Sequence, residues 1–108
     1  MIKRSLTGLL LLSALTVAAK AQDTYNVGLT GALTGPPSST YAPAVESLRI
    51  YIERLNAAGG VNGKKINLIL QDDSAEPSKA AANAKKLITQ DNVVLMLNAS
   101  LSLSLIHI

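Results

Sequence analysis

Residues 55–73 constrain this chain more than any other stretch. They read Leu-Asn-Ala-Ala-Gly-Gly-Val-Asn-Gly-Lys-Lys-Ile-Asn-Leu-Ile-Leu-Gln-Asp-Asp. Gly59 and Gly60 end a helix, because glycine takes the left-handed conformation without a Cβ clash. Asn62-Gly63 signals a tight turn. Residues 66–70 form a short, nearly unbroken apolar run, as expected of a strand covered on both faces. Asp72-Asp73 closes the run.

The flanking sequence extends this helix–turn–strand order in both directions. Residues 25–33 read as a strand with Val27, Leu29 and Leu33 apolar, while Gly28 and Gly31 suggest close backbone approach. Residues 35–39 are a loop by composition. Pro43 suits the first turn of a helix, where its missing N–H does no harm. Glu46 near that start favours the positive helix end. Ala44, Leu48, Tyr51, Ile52 and Leu55 recur at helical spacing and predict its apolar face. Glu46–Arg49 and Glu53–Asn56 are candidate surface pairs. Pro77 opens a second helix, with Ala80, Ala81, Ala84, Leu87 and Ile88 inward and Lys79, Lys85 and Lys86 outward. Residues 93–97 are a third buried strand.

The sum is an α/β chain, β-α-β-α-β, the start of a doubly wound parallel sheet. Right-handed crossovers and a strand order of 2-1-3 would put the helices on opposite faces. The switch point would fall between the first and third strands, where ligands bind beyond the carboxyl ends. The 34–41 loop and the segment after Leu97 would share one crevice.

The ends read differently. Lys3 and Arg4 make a basic start, residues 6–19 are largely apolar, and Ala19-Lys20-Ala21 is a small-residue cleavage site. Residues 1–21 therefore read as a secretory signal peptide, cleaved after Ala21, with an apolar run too short to span a bilayer comfortably. The alternative is an uncleaved anchor. Residues 22–102 are the organised part of the chain, read as a partial N-terminal lobe of the α/β domain. Residues 103–108, Leu-Ser-Leu-Ile-His-Ile, read as a translated sequencing adapter; the alternative is a natural strand.

Of ten Lys and Arg, three (Lys3, Arg4 and Lys20) lie in the leader, leaving seven against seven acids. The basic balance thus belongs to the leader, and gives no ground for nucleic-acid binding or stable membrane insertion. The absence of cysteine excludes a disulfide scaffold and a CxxC site. Gly28, Gly31 and Gly35 miss the G-x-G-x-x-G spacing. Asp72 and Asp73, adjacent on a strand, point to opposite faces and do not converge as a catalytic or metal-binding pair. Their expected role is to satisfy loop amides and the start of the next helix.

With Gly31-Ala-Leu-Thr-Gly-Pro36 leaving the first strand, the ordered motifs over residues 25–102 resemble the first lobe of a periplasmic solute-binding protein of the branched-chain amino acid (Leu/Ile/Val) type. These are receptors of ABC importers. The resemblance implies a type I binding-protein lobe, truncated, with a small-molecule ligand, an ABC permease as partner of the full-length form, a periplasmic location and no cofactor. It implies ligand contacts at Thr34, Tyr41 and Ser102. Thr34 either offers a hydroxyl to ligand or satisfies its turn. Tyr41 either lies against the ligand's side chain or packs at the helix start. Ser102 matches the family serine that holds an amino acid's carboxylate, although Asn98 stands where the family has glycine and Leu101 where it has a first serine. In place of the family's aspartate before the helix proline stands Glu76, a poorer cap.

The leading expectation is a binding protein rather than an enzyme. A ligand-sensing domain of a regulator is the alternative. A secreted enzyme fits less well, since no GxSxG elbow, Walker loop or Cys nucleophile is present. The fragment is expected to be inactive by itself and either marginally stable or partly disordered.

Overall fold

The computed structural model describes residues 23–102, so the leader and the 103–108 readings lie outside the described residues. The elements run β1 (Thr24–Gly31), α1 (Ser38–Ala57), β2 (Lys65–Asp72), α2 (Pro77–Thr89) and β3 (Leu95–Ala99). The three strands form one parallel sheet in the order β2-β1-β3. This is the expected βαβαβ unit, and its strand order is the one under which the sequence reading put the helices on opposite faces.

β1 is the central strand, and every residue from Val27 to Gly31 is buried. Successive residues point to opposite faces, so burial without alternation means that both faces are covered. β2 and β3 are edges and bury less; Leu95, expected inside, is 53% exposed. β3 also begins two residues later than expected.

α1 starts earlier than the sequence reading placed it. Pro43 stands inside the helix rather than in its first turn. The Gly35–Pro37 corner already launches the helix, with Ser38 N–H donating to the Gly35 carbonyl and Thr40 and Tyr41 N–H to the Pro37 carbonyl. Proline's fixed φ is compatible with helix, but Pro43 forfeits its bond to the Ser39 carbonyl and its ring crowds that carbonyl, a cost the rest of the helix carries. The inner face is also shifted slightly from the expected one. Val45 and Ile52 are buried and Leu48 and Leu55 half-buried, whereas Ala44 and Tyr51 face solvent.

Gly59 and Gly60 end α1 at φ +111° and +76°. At Gly60 a Cβ would sit 2.0 Å from the Lys64 carbonyl oxygen, so no other residue fits there. Asn62 and Gly63 then form a two-residue turn with positive φ at both, closed by mutual Val61–Lys64 backbone bonds. Asn56 fastens the joint: its Nδ2 donates to the Ile66 carbonyl at 2.7 Å, and its Oδ1 accepts the Ile66 N–H at 2.8 Å. The expected Glu53–Asn56 pair is therefore replaced; Glu53 pairs with Arg49, which also bridges Glu46.

α2 packs Ala80, Ala84 and Leu87 inward, with Pro77 at its first position as expected. Ile88, expected inward, is 56% exposed. Leu87 and Val93 lie against Gly28, where a Cβ would come within 2.9–3.0 Å of their methyl carbons.

Candidate functional site

Parallel pairing brings the strand ends level. Gly31 is in register with Asp72 on one side and Ala99 on the other. The ladder continues one step further, with Ala32 N–H donating to the Ala99 carbonyl and Asp73 N–H to the Gly31 carbonyl. The segments after β1, β2 and β3 therefore emerge on one rim, and Thr34 and Asn98 share it.

Asp72 organises the solvent side of this rim. Its Oδ1 accepts the N–H groups of Leu33, Thr34 and Ser74 at 3.0, 3.2 and 2.9 Å. Its Oδ2 accepts the Thr34 hydroxyl at 2.5 Å. Stabilisation of the ionised form, by the Thr34 hydroxyl first and then the Ser74, Thr34 and Leu33 amides, holds the carboxyl at about 2, below its ordinary 3.8.

Asp73 points the other way and is fully buried. Its Oδ2 accepts the Thr30 hydroxyl at 2.9 Å, and its Oδ1 accepts the Ala75 N–H at 2.8 Å and the Ser100 hydroxyl at 2.9 Å. Asn83 on α2 donates to Thr30 Oγ1 and to the Asp72 carbonyl, both at 3.1 Å. The expectation that the two aspartates diverge and serve loop amides holds. What it lacked was the reach of Asp73, which ties together the exits of all three strands. Glu76 makes no side-chain cap, and its carboxylate pairs with Lys79 at 2.7 Å instead.

Of the sequence-predicted contact residues, Thr34 is exposed on the rim, its hydroxyl donating to Asp72 and lying 3.0 Å from Ser74 Oγ. Tyr41 is half-buried in the first turn of α1, not in a loop preceding the helix. Ser102 is exposed at the end of the described segment. Thr30, Asn83 and Ser100 were missed. A polar residue inside a glycine-flanked strand, an asparagine among helix alanines and a second serine near the third strand were the available signals. Among the described residues no enclosed pocket and no cluster of metal-binding side chains forms. None of the described helices is long and apolar enough to cross a membrane.

Comparison with known proteins agrees with this architecture. Residues 24–105 match the family model described as periplasmic binding protein. An amino acid binding protein of Pseudomonas aeruginosa is 32% identical over 92 residues, covering 85% of this chain and 25% of that protein. The leucine-, isoleucine-, valine-, threonine- and alanine-binding protein of the same organism is 35% identical over 68 residues, 63% of this chain and 18% of its own length. Among solved structures, a type 1 periplasmic binding protein from Bordetella pertussis Tohama I superposes with a TM-score of 0.73 at 31% identity, covering 79% of this chain and 23% of that one. The chain thus spans about a quarter or less of the length of these relatives. Sheet order, strand-exit rim and family match converge: the chain belongs to the periplasmic binding protein family.

Proposed function

We propose that this chain supplies part of one lobe wall of an extracytoplasmic receptor that captures an amino acid or a related small polar compound for an ABC permease. The observation that carries the reading is the shared rim. The β1 and β3 exits stand side by side at the reversal of strand order, where open α/β sheets bind ligands. Relatives named for binding amino acids support the ligand class. Their names describe binding proteins, which supports a receptor over an enzyme.

The chemistry of the rim suits a zwitterion. Because the Thr34 hydroxyl gives its proton to Asp72, it can accept from the Ser74 hydroxyl and still keep one lone pair for a ligand ammonium. The exposed Ser102 hydroxyl can donate to a ligand carboxylate without bringing a fixed charge. Tyr41, half-buried beside the 34–37 corner, offers an aromatic wall to an apolar side chain. Capture would proceed by closure of two lobes about a hinge. Removal of residues 1–21 on export would place the protein in the periplasm.

The decisive experiment replaces the matching segment of the Pseudomonas amino acid binding protein with residues 23–102 of this chain. The chimera should bind amino acids by calorimetry, more weakly with Thr34→Val or Ser102→Ala. A folded chimera that binds no amino acid overturns the reading.

A further inference from the structure

We propose that Asp73 is a positioning residue, whose carboxylate sets the shape of the segment following β3. The role of that segment in holding a ligand carboxylate rests on the function proposed above; the anchoring itself does not.

Three observations carry the inference. Asp73 is fully buried, and its donors come from three separate segments: Thr30 on β1, Ala75 in the β2–α2 loop and Ser100 after β3. All three donors are neutral. Their bonds depend on alignment, so this one side chain registers the three segments against one another.

Among the described residues, two bonds hold Ser100. Its hydroxyl donates to Asp73 at 2.9 Å, and its N–H donates to Asn98 Oδ1 at 3.1 Å. Ser102, the proposed carboxylate contact, follows two residues later.

Asn98 makes the need for an anchor visible. With its Oδ1 turned to the Ser100 N–H, its Nδ2 is buried without a hydrogen-bond partner among the described residues. A buried, unsatisfied amide disfavours the conformation that contains it. The local polar groups would therefore leave this shape if Ser100 were released, and the bond to Asp73 opposes that release. Ala75 adds a second such tension. It is a non-glycine residue at φ +61°, held there by the same Asp73 oxygen.

The test is amide hydrogen exchange on the 15N-labelled 108-residue chain. Ser100→Ala should accelerate exchange of the amides of residues 100–102 by about fivefold, the effect of one lost hydrogen bond, while those of residues 27–30 stay within about twofold of the parent. Asp73→Ala should accelerate residues 100–102 at least as much. Asp73→Asn should preserve most of their protection, because the remaining amide oxygen can still accept from Ser100 and Ala75.

Three results would each overturn the proposal. One is unchanged exchange in Ser100→Ala. Another is equal acceleration throughout the sheet. The third is a parent whose 100–102 amides already exchange at the unstructured rate. None of these requires a ligand, so the proposal stands or falls separately from the binding function, which the chimera tests.

Discussion

Two adjacent aspartates at one strand end do different work because a strand turns successive side chains to opposite faces. Asp72 faces solvent and gathers the β1–α1 corner, while Asp73 faces inward and gathers the strand exits. Between them they hold Ser74 and Ala75 at φ +51° and +61°. Left-handed backbone disfavours a Cβ by about 1–2 kcal/mol, so Ala75→Gly should stabilise the fold by about 1 kcal/mol in urea unfolding after the entropy of glycine is offset.

Asp72 also predicts a pH dependence. Its folded value, about 2, lies below the ordinary 3.8. The unfolded state therefore binds a proton first as pH falls. The stabilisation is complete above the unfolded value and is lost as pH falls from about 4 through about 2. The unfolding midpoint of the parent should approach that of Asp72→Asn across this window, modestly, since the group is exposed and solvent screens it. A gap that stays constant would contradict the assignment.

At the scale of elements, the joints matter more than the propensities. α1 and β2 are joined by a glycine stop, a two-residue turn and one asparagine side chain. Asn56→Ala should cost about 2 kcal/mol of stability, since it deletes two hydrogen bonds to a single strand residue. α2 approaches the sheet closely because Gly28 has no side chain. Gly28→Ala would place a carbon 2.9 Å from Leu87 Cδ2, and should destabilise by about 1–3 kcal/mol unless Leu87, itself fully buried, finds another rotamer. Thermal unfolding of each variant measures these effects. The start of α1 was misplaced for a reason of the same kind. Pro43 is a strong local signal for a helix start, but the Gly35–Pro37 corner launches the helix at Ser38, five residues before Pro43.

For the whole molecule, the two sheet edges differ. The β2 edge exposes Lys65 and Asn67, which discourage pairing with another chain. Residues 93–101 carry no charge, and Val94, Leu95 and nearby Ile88 are each more than half exposed. An uncharged, apolar edge strand templates association. The 108-residue chain should sediment as concentration-dependent oligomers, and Leu95→Lys should shift it toward monomer. Concentration-independent sedimentation would show that the edge is protected in some other way.

The order of elements, their parallel topology and the placement of Thr34 and Asn98 on one rim were legible in the residues themselves. Those features rest on local rules: apolar periodicity, the left-handed tolerance of glycine, and the handedness of crossovers, each readable within a window of neighbours. The Asp73 network, the Asn56 fastening and the true inner face of α1 were decided by tertiary structure. Thr30 and Asp73 are 43 residues apart, and Asp73 and Ser100 are 27 apart. No local pattern marks two polar residues as partners across such distances, because their burial depends on which strands become neighbours and how far each helix rotates before it docks.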